Sequence, residues 1–435
     1  VKRRLIQCVC GLLAALSGAV GLRVYDAVAE ADSGGERADA GYTSMAVFAR
    51  ALQLIRQDYV DEKKAGYRQL THAALKGMLS SLDPHSQFME PNDFKGLQED
   101  ASSHFGGLGI HVVQREGEFT IVSPTEGGPG ARAGLQPEDQ ILRIDGRSTE
   151  RLDFQDATRL LRGEVGQKVT LTILRPATRE VKEYEMVREN ISVASVRDAR
   201  LLGRELAGQF KVGYLRITQF NMPTSDELSA RLDELEKQGM QALVLDLRHN
   251  PGGLLDSAVK VAGQFLPPKT LVVSTEGRVA SQSKVYRTPE KGRVRPRYPI
   301  AILINHGSAS GSEIVAGALK DLNRAVLVGE TTFGKGSVQS VIELQDGSAL
   351  RLTTAKYFTP GKQIIHERGV APHLVSGLSD EQDRLLLLQR RDETLTREER
   401  RELEGFRDTQ LERAAGALQG LMIYAGRTGK RTWLE

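Results

Sequence analysis

Cysteine is nearly absent. Two occur in 435 residues, Cys8 and Cys10, and both fall in one apolar stretch at the N-terminal end. The rest of the chain can carry no disulfide framework and no cysteine-ligated metal. Histidine is sparse as well. The eight are scattered, without a His-Glu-x-x-His spacing, so no metal or cofactor signature emerges. Neither sign of charge is in large excess. A formal net charge of +3 is too small to argue for a nucleic-acid partner.

What is present begins with an export-like segment. Lys2, Arg3 and Arg4 precede an apolar run, Leu5 to Leu22, broken only by Gln7 and Ser17. Ala27-Val28-Ala29 fits a small-x-small cleavage site. Residues 1–29 are therefore expected to be a signal peptide, or a signal anchor if uncut, since the run is just long enough to span a bilayer. Residues 30–41 are small and polar and read as a linker. The expected location is extracytoplasmic: the bacterial periplasm, either free or held at the inner membrane.

The most informative stretch is Asn305 to Gln339. An apolar strand-like run, Ile300–Ile304, ends in a small-residue turn, Gly307 to Ser312, and a helix-like segment follows. A serine at such a turn has an exposed hydroxyl beside unpaired backbone N–H groups. Acyl transfer requires a nucleophile of this kind with donors for the oxyanion. Further on, Lys335 stands between Gly334 and Gly336 with Phe333 before it. Lysine can take a serine's proton only when neutral, so burial or a nearby positive charge must lower its pKa. Gln339 lies four residues on, a spacing that shares a face with Lys335 in a regular strand or helix. Ser308 and Ser312 rival Ser310 as nucleophile, since serine also caps helices and builds turns. His306 is a rival base, although no Gly-x-Ser-x-Gly elbow surrounds Ser310.

The block resembles that of the C-terminal processing proteases, also called tail-specific proteases. Their pattern runs Asn-x-Gly-Ser-Ala-Ser-x-Ser-Glu-Ile, then Thr-Phe-Gly-Lys-Gly-x-Val-Gln. The resemblance implies Ser310 as nucleophile, Lys335 as base and Gln339 as its assistant. A second block, Asp246-Leu247-Arg248-His249-Asn250-Pro251-Gly252-Gly253, also matches. A glycine pair opening a helix turns backbone N–H groups toward a ligand. The resemblance implies an oxyanion hole from Gly252 or Gly253 together with Gly311.

Residues 103–190 resemble a PDZ domain. His104-Phe105-Gly106-Gly107-Leu108-Gly109-Ile110 matches a carboxylate-binding loop, whose glycines leave N–H groups free for an anion. The strand from Ile110 would accept a peptide as an added strand. Peptide contacts are thus expected at Leu108, Gly109 and Ile110, and the resemblance adds Arg162 after the helix Phe154–Leu161. Glu138 stands where such domains carry glycine.

The expected fold is α/β (α+β) and multidomain. It comprises a helical region at 42–102, the PDZ domain, a crotonase-like protease core at 191–377 and a helical tail at 378–435. Met45, Phe48, Leu52 and Ile55 recur at helix spacing, as do Leu70, Ala74, Leu75, Met78 and Leu79. Asp83 and His85 in Leu82-Asp83-Pro84-His85-Ser86 read as turn chemistry. Leu385–Leu388 is an apolar patch amid charges, either a solvated helix or, by resemblance, part of a tail packed on the core. Strands are expected at Ser340–Leu344 and Ala349–Lys356, with Tyr357–Gly361 as loop. The implied partners are protein substrates bound through C-terminal peptides, an activating adaptor or lipoprotein, and other copies in a homo-oligomer, dimer or higher. The function implied is an exported Ser–Lys serine endopeptidase that cleaves proteins near their C-termini or when partly unfolded. Two other readings stay open: a scaffold with a decayed protease domain, and a crotonase-like acyl-CoA enzyme.

Overall fold

The computed structural model describes residues 41–429, save 116, 126, 292–294, 296, 391–394 and 396. The expected export segment 1–29, and all but the last residue of the linker 30–41, lie outside the described residues. No helix among the described residues is long and apolar enough to cross a membrane. The chain divides into two units, one ending at Phe88 and one beginning at Met89.

The first unit contains a helix over 41–58, a helical turn Glu62–Lys64 and a helix Tyr67–Ser80. The periodicity of Met45, Phe48 and Ile55 forms the expected helix, yet all three remain exposed. Asp83 closes the turn after the second helix. Its carboxylate accepts from the N–H groups of His85 and Ser86 and from the Ser86 hydroxyl, a local turn of the kind Asp favours.

The second unit opens with the helix Pro91–Ser102. An antiparallel sheet follows, built on Ile110–Arg115, Glu118–Pro124, Gln140–Ile144, Lys168–Arg175 and Glu180–Val187 in that order. Alternate residues such as Phe119 and Ile121, and Val169, Leu171 and Ile173, fill its core, as a period of two requires. Ile110–Arg115 lies at the sheet's edge, paired on one side only. Glu138 adopts φ 71°, a left-handed conformation that glycine adopts without strain, which explains the glycine expected there.

The larger part is a six-stranded sheet. Its order is Val196–Leu201, Val212–Ile217, Ala242–Asp246, Ile300–Ile304, Val326–Gly329, Leu374–Val375, and every pair but the first is parallel. Parallel strands are covered on both faces, so they read as unbroken apolar runs. Here Leu243, Leu245, Ile300, Ile302 and Ile304 face one cluster, with the helices Thr224–Lys237, Leu255–Gly263 and Gly311–Asp321. Val244, Ala301, Leu303 and Val328 face the other way, onto Leu411, Ala414, Ala415 and Leu418 of the helix Thr409–Thr428. A second sheet contains Leu271–Gly277, Lys284–Arg287, Ser337–Glu343 and Ala349–Phe358. The strand expected to end at Lys356 thus continues through Tyr357 and Phe358.

The tail is packed rather than solvated. Leu386 and Leu388 of the helix Asp380–Gln389 are buried, which corrects the solvated-helix reading of Leu385–Leu388. A buried ion cluster fixes it. Arg248, with no exposed side-chain surface, donates to both carboxylate oxygens of Asp246 and to Asp408 and Gln410. Arg390 and the Tyr214 hydroxyl also donate to Asp246. Burial alone would push the Asp246 carboxyl up. The Arg248 and Arg390 guanidiniums outweigh it and hold the group well below the usual carboxylate range.

Arg248→Met keeps the length of the side chain, takes the guanidinium from Asp408 and leaves Asp246 with Arg390 and Tyr214. Removing one partner of a buried pair costs about 3–5 kcal/mol, a loss that guanidinium denaturation should register. A carboxyl depressed in the fold stabilises it above the unfolded pKa and ceases to do so as pH falls. The gap between the two proteins should therefore narrow in acid.

Candidate active site

Ala242–Asp246 and Ile300–Ile304 are parallel neighbours, so the turns that follow them lie side by side. Ligands of open α/β sheets bind at such carboxyl ends. The first turn runs Leu247–Leu254 and the second Asn305–Ser310. Asn305 and Asn250 lock them together. The Asn305 carboxamide oxygen accepts from His249 N–H and Gly307 N–H. The Asn250 carbonyl accepts from Ala309 N–H at 2.9 Å and from the Ser312 hydroxyl at 2.9 Å.

This packing separates the three serines. Ser308 is buried, and its hydroxyl donates to the Leu247 carbonyl at 2.8 Å. Ser312 is buried and committed to Asn250. Ser310 is half-buried, with φ 51° and ψ −110° at the start of the helix Gly311–Asp321. A non-glycine residue held there stores on the order of 1–3 kcal/mol, a feature of functional turns. Ser310 is thus the one whose hydroxyl is not spent on a backbone carbonyl.

Gly252 and Gly253 have different reasons to be glycine. At Gly252, φ is 100°, and a Cβ would come within 2.7 Å of both the Ala309 oxygen and the Ser310 Cβ. At Gly253, φ is 146°, and a Cβ would meet the Phe220 carbonyl at 2.2 Å. The Gly252 N–H is consumed by the Asn250 side chain at 2.9 Å. The N–H groups of Gly253 and Gly311 donate to no acceptor among the described residues.

Lys335 lies in the loop between Val326–Gly329 and Ser337–Glu343. Its ammonium makes no hydrogen bond or ion pair among the described residues. Burial lowers its pKa, and the positive charge of Arg351 lowers it further, against an opposing pull from Glu313. The flanking glycines make room for a neighbouring segment. A Cβ on Gly336 would fall 2.1 Å from the His366 nitrogen, and Gly334, at φ 89°, faces the backbone of Glu367–Gly369. They admit the segment 365–369 behind the lysine.

Gln339 is not hydrogen-bonded to Lys335. Its amide donates to the Ser337 hydroxyl at 2.9 Å and to Thr353 at 3.4 Å. The shared face expected for 335 and 339 fails because the strand begins only at Ser337 and has an irregularity between Val338 and Gln339. His306 is largely exposed, with its imidazole 3.8 Å from Glu330.

Two residues at this site carry no functional signal in the sequence. The Glu313 carboxylate is fully buried and bonded to the Ser310 turn and to the loop of Lys335. Tyr357 is buried, its N–H donates to the Gly336 carbonyl at 2.7 Å, and its hydroxyl interacts with Ser310. Burial pushes the phenol far up, so it stays protonated. A strand residue read as loop gives no such hint.

In the antiparallel domain, Gly109 has φ 60° and precedes the edge strand that starts at Ile110. The N–H groups of Leu108 and Gly109 donate to no acceptor among the described residues. The Leu108 side chain is buried in the domain core. Arg162 donates to Asp100 at 2.9 Å, and its guanidinium lies 4.2 Å over the Phe105 ring.

Comparison with known proteins is consistent with this layout. A model of peptidase family S41 matches residues 211–376, and a PDZ domain model matches 120–175. A carboxyl-terminal-processing protease of Synechocystis is 39% identical over 322 residues, 73% of this chain and 74% of that protein. A carboxy-terminal-processing protease of Bartonella bacilliformis is 40% identical over 342 residues, 77% and 75% of the two chains. The carboxy-terminal processing protease CtpA of Bacillus subtilis is 35% identical over 348 residues, covering 80% and 72%.

Gly252→Ala tests the fit of the two turns. The added methyl must displace Ser310 or its neighbours, and a shift of about 1 Å at a reacting group costs roughly 10²-fold in rate. Peptide-cleavage assays should show a loss of that order. Circular dichroism should show retained secondary structure.

Proposed function

Because the chain belongs to the carboxy-terminal processing proteases of peptidase family S41, serine-type peptidases, we propose a Ser–Lys endopeptidase with Ser310 as nucleophile and Lys335 as base. One observation carries this reading: Ser310 holds a strained, accessible turn while the one lysine of the neighbouring loop has a lowered pKa. Neutral Lys335 removes the Ser310 proton as Oγ attacks the scissile carbonyl. The N–H groups of Gly253 and Gly311 receive the oxyanion, since Gly252 has already spent its own on Asn250. The protonated lysine then returns the proton to the leaving amine, and water releases the acyl group by the same steps in reverse. Gln339 would assist after turning from Ser337 toward the amine.

The PDZ domain supplies the substrate. A peptide adds to the edge strand from Ile110, and its C-terminal carboxylate meets the free amides of Leu108 and Gly109. Arg162 joins this site by exchanging Asp100 for the peptide. The substrates are proteins cut near their C-termini or when partly unfolded. The enzyme acts outside the cytoplasm, as a dimer or larger homo-oligomer, with an adaptor or lipoprotein to activate it.

Digestion of an unfolded protein, followed on a gel, tests the activity. Ser310→Ala should lower the rate by roughly 10⁴ to 10⁶ and leave folding intact. Lys335→Arg should be nearly as inactive as Lys335→Ala, because a guanidinium cannot accept the proton at any working pH. Substantial turnover by the arginine variant would refute a neutral base. The wild-type rate should rise with pH as the amine loses its proton. It should level off below the ordinary lysine pKa, since burial and Arg351 lower that value.

A second measurement isolates the PDZ site. A peptide with a free C-terminal carboxylate should bind more tightly than the same peptide amidated, by calorimetry. Equal affinities would exclude carboxylate capture.

A further inference from the structure

Glu313 stands at the third position of the helix that Ser310 begins. A glutamate there commonly caps its own helix start with one hydrogen bond. Glu313 does more. One carboxylate oxygen accepts from Ser310 N–H at 2.8 Å and Lys335 N–H at 2.9 Å. The other accepts from Gly334 N–H at 2.7 Å and the Thr332 hydroxyl at 2.5 Å. The side chain is fully buried, and no cation pairs with it among the described residues. A buried carboxylate without a cation is costly unless hydrogen bonds satisfy it; burial pushes the Glu313 carboxyl up, and these four donors oppose that shift. Three of them come from the loop of Lys335 and one from the nucleophile's own amide.

We infer that Glu313 is the positioning residue of this site: its carboxylate binds the Ser310 turn and the Lys335 loop to one centre and so sets the placement of nucleophile against base. The inference rests on the Ser310–Lys335 assignment proposed above. No other side chain is bonded to the backbone of both residues among the described contacts. Glu313 lies beneath the turn without exposed surface, so it orders the site and does not touch substrate. Its charge acts as well. The groups facing the Lys335 amine are Glu313 from the helix and Arg351 from the strand Ala349–Phe358. The backbone contacts of Gly334 and Gly336 also bring Tyr357, His366, Glu367 and Arg368 to this loop. Glu313 alone favours the lysine's proton.

Glu313→Gln tests both roles in the full-length protein. The amide matches the carboxylate in shape, but its NH₂ meets two donors in place of an acceptor. The expected result is a fall in kcat of roughly 10²-fold with KM nearly unchanged. The rising limb of the pH–rate profile should move to lower pH, because the charge that raised the Lys335 pKa is gone. Glu313→Asp keeps the charge and shortens the reach; it should lose rate with the limb in place. A Glu313→Gln enzyme with kcat within about twofold of wild type overturns the inference. So does a slower enzyme whose pH profile has not moved, since that reports general loosening. Should Glu313→Gln fail to fold, Thr332→Val removes one of the four donors and should lower kcat about tenfold; an unchanged kcat overturns the inference. Ser310→Ala distinguishes the two claims. If it remains active, the Ser–Lys assignment is wrong; if it is inactive while Glu313→Gln is unimpaired, only the role of Glu313 falls.

Discussion

The buried ion cluster around Arg248 is the constraint on which the core depends. Asp246 ends a central parallel strand, and Arg248 begins the turn that leads to Gly252 and Gly253. The same guanidinium reaches Asp408 at the cap of the last helix. One residue thus fixes the end of a strand, the path of a functional turn and the docking of a segment 160 positions away. Such a cluster gains little stability over apolar packing, but its geometry is hard to satisfy in any other arrangement. A second tie reinforces it: His249, at φ 58°, bonds Asp383 through its ring Nε2 and donates its backbone N–H to the Asn305 side chain. The tail helices are therefore tied to the two turns that meet at Ser310.

From that anchor the site follows by short steps. Parallel pairing of Ala242–Asp246 with Ile300–Ile304 puts two turns at one edge. The helices that leave them, Leu255–Gly263 and Gly311–Asp321, pack on the same face of the sheet. Their N-terminal ends converge, and free backbone amides at such ends favour developing negative charge. Gly311 lies against Phe220 and Ala258, where an added Cβ would be 3.0 Å and 3.5 Å from their side chains. The approach of the two helices is thereby set by small residues, and Ser310 sits where they meet.

Much of this was legible in the sequence because it is local. The turn at Ser310, the paired glycines 252–253, the unbroken apolar strands and the edge strand from Ile110 each announce themselves within a few residues. What was not legible depends on pairs distant in sequence. Glu313 reads as a helix cap until the loop 332–335 is folded onto it. Gly336 reads as a companion of Lys335, whereas the contact that requires it is with His366. Leu386 and Leu388 sit among charges and lack a clear period, so their burial shows only once the tail is docked. Tyr357 reads as loop, yet pairing with Thr275 extends its strand. The spacing of Lys335 and Gln339 misled for the opposite reason. It assumed a regular element, and the chain is irregular at that point.

The polar groups of the site also show a division between what is fixed and what is free. The backbone is fixed: Ser310, Gly334 and Lys335 all donate from their amides to one buried carboxylate. The side chains proposed to act are not. The Lys335 amine has no hydrogen-bonded partner among the described residues, and Gln339 is turned to Ser337. The base proposed at Lys335, which alternates between neutral and charged forms, gains from this arrangement. A permanent acceptor on the amine would favour its proton and raise its pKa, whereas burial and Arg351 lower it. Glu313 delivers its negative charge through the backbone instead of by direct contact with the amine. That gives the loop its order while favouring the lysine's charged form less than a salt bridge would.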